Sequence, residues 1–489
     1  MLHIEQLSGG YDGKKYIQDV SFHVEKGEVL GILGPNGSGK STILKLISGA
    51  MPYSEGTVLL DKKPLKNYTP KDLARKLAVL PQLHANTFTH TVREVVSLGR
   101  YPHQRSFFSS WSDEDEQAVQ QAMQQMGITK YEHVEMAFLS GGEQQRVFVA
   151  QALAQQAEVL FLDEPTNHLD IAHQRQLLDV IRTEAKVKGL TVVSIFHDMN
   201  LAALYCDRLL LMQQGRIQTI GRPHEVLIDA QIEEVYDTRV AIQPHPEQAK
   251  PQVTILPMIF EDTPITIRKN HLQVTPQYAV FKSPLSLRTL SSAVHNAGFG
   301  WYDTFVNRTV SPNYEHQHVE QEFGAFLRQE GFLPTSTVGM MTALSMDAVV
   351  ANDYDTPAGK FTVIVTAGVG KAIDVAEAYK HGEAVTIGTI NTWIILNAHL
   401  SDEAFVQALI TATEAKVKAL QKAGVTDTIS KTVATGTATD SVLIAATQQG
   451  TYIQYAGTAT PLGKWIGKAV VETTVEAIET YKRLKGTGK

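Results

Sequence analysis

The chain has 489 residues, with 44 Lys and Arg against 51 Asp and Glu and a net charge of −7. That length exceeds what one hydrophobic core organises and suggests about three compact units. The acidic balance argues against a chain-wide appetite for nucleic acid or anionic membrane, and no apolar run approaches the roughly 18 to 20 residues of a membrane-spanning helix. Cys206 is the sole cysteine, so no internal disulfide is expected and a reducing cytoplasm fits. The opening MLHIEQLSGGYDGKK lacks the apolar stretch of a signal peptide and predicts a first strand.

Residues 1–28 alternate apolar and polar (Leu2, Ile4, Leu7, then Val20, Phe22, Val24), as half-buried antiparallel strands do. Tyr11 falls in the loop between them, where an aromatic ring either stacks on a base or packs into the core. An apolar strand from Val29 then enters Gly34-Pro35-Asn36-Gly37-Ser38-Gly39-Lys40-Ser41-Thr42 and an apolar helix. Such a turn is a phosphate cradle: its glycines let successive N–H groups face an anion, and the helix N-terminus points at the same place. Lys40 is placed to reach β and γ phosphates and the Ser41 hydroxyl to hold Mg2+.

Leu77–Gln82 predicts a strand whose terminal amide can touch Mg2+ and the attacking water; a solvated cap is the alternative for Gln82. Residues 113–126 open with acids and space Ala118, Ala122 and Met126 helically, marking a helical insert. Ser140, Gly141 and Gly142 immediately precede a helix striped with Val147, Ala150, Leu153 and Ala154, a second anion-binding helix N-terminus. Val159–Glu164 predicts a buried strand ending in two carboxylates, Asp163 as a Mg2+ ligand and Glu164 to polarise the water that attacks the γ phosphate. A further apolar strand ends in His197, read as a γ-phosphate contact with a structural histidine as its rival.

In this order, Tyr11, GPNGSGKST (34–42), Gln82, LSGGEQQR (139–146), VLFLDE (159–164), HLD (168–170) and His197 resemble the ATP-binding subunit of an ABC transporter, over about residues 1–255. Within that family, TVREVVSLGRYPHQ (91–104) and FHDMNLAALYCDRLLLMQQGRI (196–217) are most similar to importers of iron siderophores, haem and vitamin B12. The resemblance implies an α/β P-loop NTPase fold with a helical subdomain, binding ATP and Mg2+, with Glu164, His197, Lys40 and Gln82 carrying hydrolysis. It also implies that Ser140, Gly141 and Gly142 of each subunit close over the nucleotide of the other, with Asp170 at the contact. The expected assembly is a homodimer, peripheral on the inner face of the cell membrane, working with integral membrane permease subunits and a substrate-binding protein. Nucleic acid is not an expected partner.

An importer ATPase of this kind would end near residue 255, and the chain continues. Residues 244–260 begin with PHPEQAKPQVTILP, whose four prolines and missing period predict a stiff linker between a domain at 1–243 and another at 261–489. The second half is expected to be a separate α+β domain. Strands are predicted over 277–282, 303–310, 346–351, 361–366, 384–395 and 441–446, and helices over 318–328, 401–422 and 467–483, with Ser401 as an N-cap. The half contains no GxSxG, SxxK, HExxH or Cys, so the commonest serine, cysteine and zinc hydrolase signatures are absent. His316 and His318 lack a third ligand and are expected to be solvated. Thr366–Gly370 is read as a tight turn between a strand and a helix, with an anion site as the alternative; residues 434–440 are a turn whose hydroxyls and Asp440 would suit amide groups.

The runs TVGMMTALSMDAVVAN (337–352), TAGVGKA (366–372), GTIN (388–391), ATGTATDS (434–441) and YAGTATPLGKWIGKAV (455–470) resemble the adenosylcobinamide amidohydrolase family over roughly residues 275–485. That resemblance implies hydrolysis of the amide to the aminopropanol arm, giving adenosylcobyric acid, and Thr366, Gly368, Asn391, Thr435, Gly436 and Asp440 are the candidate site residues. Together the halves are expected to be the ATPase of a corrinoid importer fused to a hydrolase acting on adenosylcobinamide. The alternative is an iron-siderophore or haem importer ATPase with a non-catalytic ligand-sensing C-terminal domain.

Overall fold

Val29–Leu33 has no polar side chain and is buried at every position, as a parallel strand covered on both faces must be. The computed structural model describes residues 1–81, 90–104, 111–167, 169–257, 265–311, 314, 318–381 and 388–486. The chain divides into two units, Met1–Ile259 and Phe260–Lys489.

In the first unit a six-stranded sheet takes the order Arg216–Gly221, Arg208–Gln213, Val29–Leu33, Thr191–Ile195, Val159–Asp163 and Leu77–Leu80. All neighbours are parallel except the first pair. The carboxyl ends of three adjacent buried strands therefore present Gly34, His197 and the Asp163–Glu164 pair along one edge, where open α/β sheets bind ligands. A second sheet, antiparallel, orders Ile17–Val24, Leu2–Gly9, Glu55–Leu60 and Lys63–Pro64. Leu2, Ile4 and Val58 share a core with Leu30, Ile32, Ile43 and Val193.

The helices Val92–Ser97, Asp113–Gln125 and Gly141–Ala154 form the helical insert, packed through Val92, Val96, Val119, Met123 and Val147. Buried Arg100 ties them together. Its Nε donates to Asp115 at 2.7 Å, and a terminal nitrogen donates to the Ala154 carbonyl at 3.1 Å and to Gln156 at 2.9 Å.

The stretch expected to be a stiff linker instead contributes to a hairpin: Val240–Pro244 pairs antiparallel with Pro251–Ile255. Pro244 and Pro251 oppose each other at the last rung, so the missing N–H groups interrupt nothing inside the ladder. Asn200 clips the second strand, accepting from Val253 N at 2.7 Å and donating to Val253 O at 3.1 Å.

The second unit is built on an eight-stranded mixed sheet ordered Thr337–Thr342, Gly298–Thr309, Tyr278–Ser291, Ser441–Ala446, Ile390–Leu396, Gly359–Ala367 and Val350–Thr356, with Leu272–Val274 also paired to Tyr278–Ser291. Helices Asp402–Lys422 and Pro461–Gly486 cover one face, setting Phe405, Ala408, Ala412, Ile466 and Val470 against Val363, Val365, Ile394 and Ile444. The opposite face buries Phe281, Phe305, Met340, Trp393 and Leu443. A third helix, Val319–Gln329, seats Phe323 and Leu327 on Val280 and Val306.

Ser401 caps its helix as expected, accepting from Ala404 N at 3.1 Å. Other boundaries differ. Predicted strand 346–351 is a 3-10 turn, Met346–Ala348, before a strand that begins at Val350. The last helix starts at Pro461 and not at 467, because proline needs no N–H partner in a first turn. The turn from Thr366 leads not into a helix but into the 3-10 turn Val369–Lys371 and the short strand Ala372–Ile373, paired with Gly436–Thr437. Of predicted strand 384–395 the described part is Ile390–Leu396. The architecture is thus an α/β P-loop unit with a helical insert, followed by a separate α+β unit. No helix among the described residues is long and apolar enough to cross a membrane.

Candidate functional site

The cradle depends on Gly34, whose φ is 153° and where a Cβ would come within 2.4 Å of the Met212 carbonyl and 2.6 Å of Ser38 Oγ. Gly39, at φ 103°, precedes the helix Lys40–Ile47. Lys40 Nζ donates to the carbonyls of Gly34 at 2.8 Å and Pro35 at 3.0 Å, crossing the loop. Burial lowers its pKa, with Glu164 and Asp163 opposing. Among the described residues the Ser38 hydroxyl is buried without a partner. Beside the loop a cavity of about 540 Å³ is lined by Tyr11, Asn36, Gly37, Lys40, Thr42 and Glu164, among others. Tyr11 is 43% exposed, which rules out core packing. Its hydroxyl accepts from Lys45 Nζ at 3.2 Å.

Ser41 Oγ donates to Asp163 Oδ1 at 3.3 Å across the mouth of the sheet. Burial raises the pKa of Asp163, only partly offset by that bond and by Lys45 and Lys40. A desolvated carboxylate beside a hydroxyl is a hard-oxygen donor pair, so the residues fit Mg2+. Gln82, the third expected ligand, and His168 lie outside the described residues.

Glu164 has φ 55°, in the left-handed region. That backbone costs about 1 to 3 kcal/mol unless its surroundings hold it. Here they do: Glu164 Oε1 is 2.6 Å from His197 Nε2, and Oε2 accepts from Asn167 Nδ2 at 2.6 Å. The structure places in direct contact two side chains that the resemblance assigns to the same hydrolysis.

Ser140, Gly141 and Gly142 do not line this cavity. Ser140 caps its own helix in a reciprocal box with Glu143, the two side chains 2.8 Å apart. Hydrogen bonds from Tyr131 and Ser140 hold the Glu143 carboxyl down to about 2. Asp170 caps Ile171–Lys188, accepting from His173 N at 2.9 Å. Two apolar side chains beside these motifs face outward, Phe138 at 78% exposure and Ile171 at 86%.

In the second unit, Thr366 and Asn391 are linked through Asn307, which donates to Thr366 Oγ1 at 3.0 Å and accepts from Asn391 Nδ2 at 2.8 Å. Asn391 also donates to the Met341 carbonyl at 2.9 Å. Asn307 is absent from the candidates, although a buried amide in a strand-like run is a readable signal. Gly368 lines a separate cavity of about 400 Å³.

Asp440, a candidate for reading amide groups, is bonded within the fold. Its Oδ1 accepts from Ile390 N at 2.9 Å and from Thr437 Oγ1, and its Oδ2 from Lys416 Nζ and from Thr437 N at 3.1 Å. Four donors from the fold occupy its lone pairs. Thr435 Oγ1 accepts from Val375 N at 2.8 Å, and Gly436 pairs with Ile373. Asp427 went unnoticed in the sequence: burial pushes its carboxyl up, but the amides of Asp374, Ile429 and Ser430 and the His381 ring outweigh this and hold it far below the usual range. Among the described residues no group of three or more His, Cys, Asp or Glu could hold a metal; His316 lies outside them, and His318 precedes the helix Val319–Gln329.

Two family profiles match the chain, one described as ABC transporter over residues 17–167 and one as adenosylcobinamide amidohydrolase over residues 262–486. The uncharacterized ABC transporter ATP-binding protein YvrA of Bacillus subtilis (strain 168) is 37% identical over 482 residues, 98% of this chain and 99% of that one. The hemin import ATP-binding protein HmuV of Pseudomonas aeruginosa is 41% identical over 258 residues, 52% of this chain and 99% of its own. The cobalamin import ATP-binding protein BtuD of Halobacterium salinarum is 39% identical over 245 residues, 50% of this chain and 61% of its own.

Proposed function

This chain belongs to the family of ABC transporter ATP-binding proteins, and from that membership we propose that it hydrolyses ATP to drive import of a corrinoid while its second unit hydrolyses the amide arm of adenosylcobinamide. The observation that carries the cargo is the adenosylcobinamide amidohydrolase profile across residues 262–486. The ATPase half alone does not discriminate, since it is about as similar to a hemin importer subunit as to a cobalamin one.

The cradle amides and Lys40 neutralise the phosphates of ATP, and Tyr11 stacks on the base. Ser41, Asp163 and Gln82 would hold Mg2+, which would supply neutralisation of the phosphate charge. Glu164 takes the proton of the attacking water, and His197, bonded to it, contacts the γ phosphate. The remaining catalysis is positioning and electrostatics. Ser140, Gly141 and Gly142, which do not line the cavity of their own chain, close over the nucleotide of a second copy with Asp170 at the contact. The outward Phe138 and Ile171 support such a homodimer, which works at the inner face of the membrane with permease subunits and a substrate-binding protein.

Incubating the full chain with adenosylcobinamide is expected to release aminopropanol and leave adenosylcobyric acid. Failure to release it, with the corrinoid still bound, would turn the second unit into a ligand sensor and overturn the hydrolase reading.

A further inference from the structure

The cavity of about 400 Å³ in the second unit is walled by two turns and the end of the last helix. Lys371 closes the 3-10 turn after the strand Gly359–Ala367, and Tyr481 and Lys485 come from the last turns of Pro461–Gly486. Lys371 and Lys485, both exposed, are among its lining residues, and among the described residues no carboxylate lines it. Charges of one sign around a concave wall attract the opposite sign. Lys485 Nζ donates to the Tyr481 hydroxyl at 3.3 Å, which leaves the phenol proton to a ligand. A Cβ at Gly370 would stand 2.6 Å from that hydroxyl and fill the opening.

A second observation lies at the same end of the sheet. Among the described residues Thr342 Oγ1 and Asn391 Oδ1 are buried without partners; neither side chain lines the cavity, but Ala343, next to Thr342, and Thr389, two residues before Asn391, do. Buried polar atoms of this kind are rare unless a ligand or water satisfies them.

We propose that this cavity binds an organic carboxylate through Lys371, Lys485 and Tyr481, and that the carboxylate is the one freed by amide cleavage. The assignment rests on the amidohydrolase reading. Hydrolysis joins the water oxygen to the carbonyl carbon and breaks the C–N bond, and the amine leaves with a proton. A neutral amide thereby becomes an anion, and the lysines favour the product side of that change.

The test is titration of the full chain with adenosylcobyric acid, read at equilibrium, and separately with adenosylcobinamide, read by rapid mixing before turnover, in wild type, Lys371→Met, Lys485→Met and Lys371→Arg. Wild type should bind the acid more tightly than the amide. Each Met variant should weaken the acid about 10-fold, the scale of one charge-assisted hydrogen bond, and leave the amide within about twofold. Lys371→Arg should retain acid binding. Equal effects on both ligands, no effect on the acid, or no binding of the acid to wild type would each overturn the assignment. Aminopropanol release, measured alongside, reports separately on the hydrolase reading: its absence with charge-selective binding intact leaves the cavity assignment standing, and its presence with unselective binding removes the cavity assignment alone.

Discussion

Glu164 and His197 stand at the ends of two adjacent parallel strands, 2.6 Å apart, with the glutamate in a backbone conformation that only its contacts maintain. Glu164→Gln keeps the shape and the Asn167 contact but removes the proton acceptor. Nucleotide binding is expected to persist while phosphate release falls at least ~100-fold, the scale of a lost general base. Near wild-type release from the purified variant would refute the role. Asp163 makes an opposite trade. Its folded pKa lies above the unfolded one, so its contribution favours the fold below the unfolded pKa and is lost as pH rises through the folded pKa. At neutral pH Asp163→Asn is therefore expected to melt higher than wild type without nucleotide, yet to lose the Mg2+-dependent part of the ATP-induced rise in Tm. A lower melting point for the free variant would contradict this.

Among the elements, the helical insert depends on one buried cation. Arg100 is 2% exposed and pairs with Asp115, whose carboxyl burial pushes up but Arg100 and Ser112 bring below its ordinary value. Arg100→Met strands that carboxylate and should cost about 3 to 5 kcal/mol in denaturant unfolding, whereas adding Asp115→Leu should restore most of it. A double variant as unstable as the single one would show that packing, not charge, holds the insert. The cap at Ser401 was readable beforehand because it is local: the serine stands directly before an apolar-striped run. The Val240–Ile255 hairpin was not, because prolines argue against a strand only when they fall inside the ladder, and register decides that.

At the scale of the molecule, the two units have separate cores, one around Leu30, Ile32 and Val193 and one around Val363, Ile394 and Phe405. Calorimetry on Glu164→Gln, which holds ATP without turning it over, should show two transitions. Saturating Mg-ATP at about 100 times its Kd should stabilise one of them by about 2.7 kcal/mol and leave the other in place. A single transition that moves as a whole would refute the independence of the cores.

The amino-acid order alone determined the cradle, the carboxylates at Asp163 and Glu164, the capped helices and the division into two halves of different texture. Each of these is a strand–turn–helix or strand-end unit whose physics lies within a dozen residues. Only the tertiary structure decided which distant groups meet: Glu164 with His197, Asn307 with Thr366 and Asn391, Lys416 with Asp440, and Lys371 with Lys485 around one cavity. Strand order and register bring those residues together, and neither can be read from spacing along a single chain.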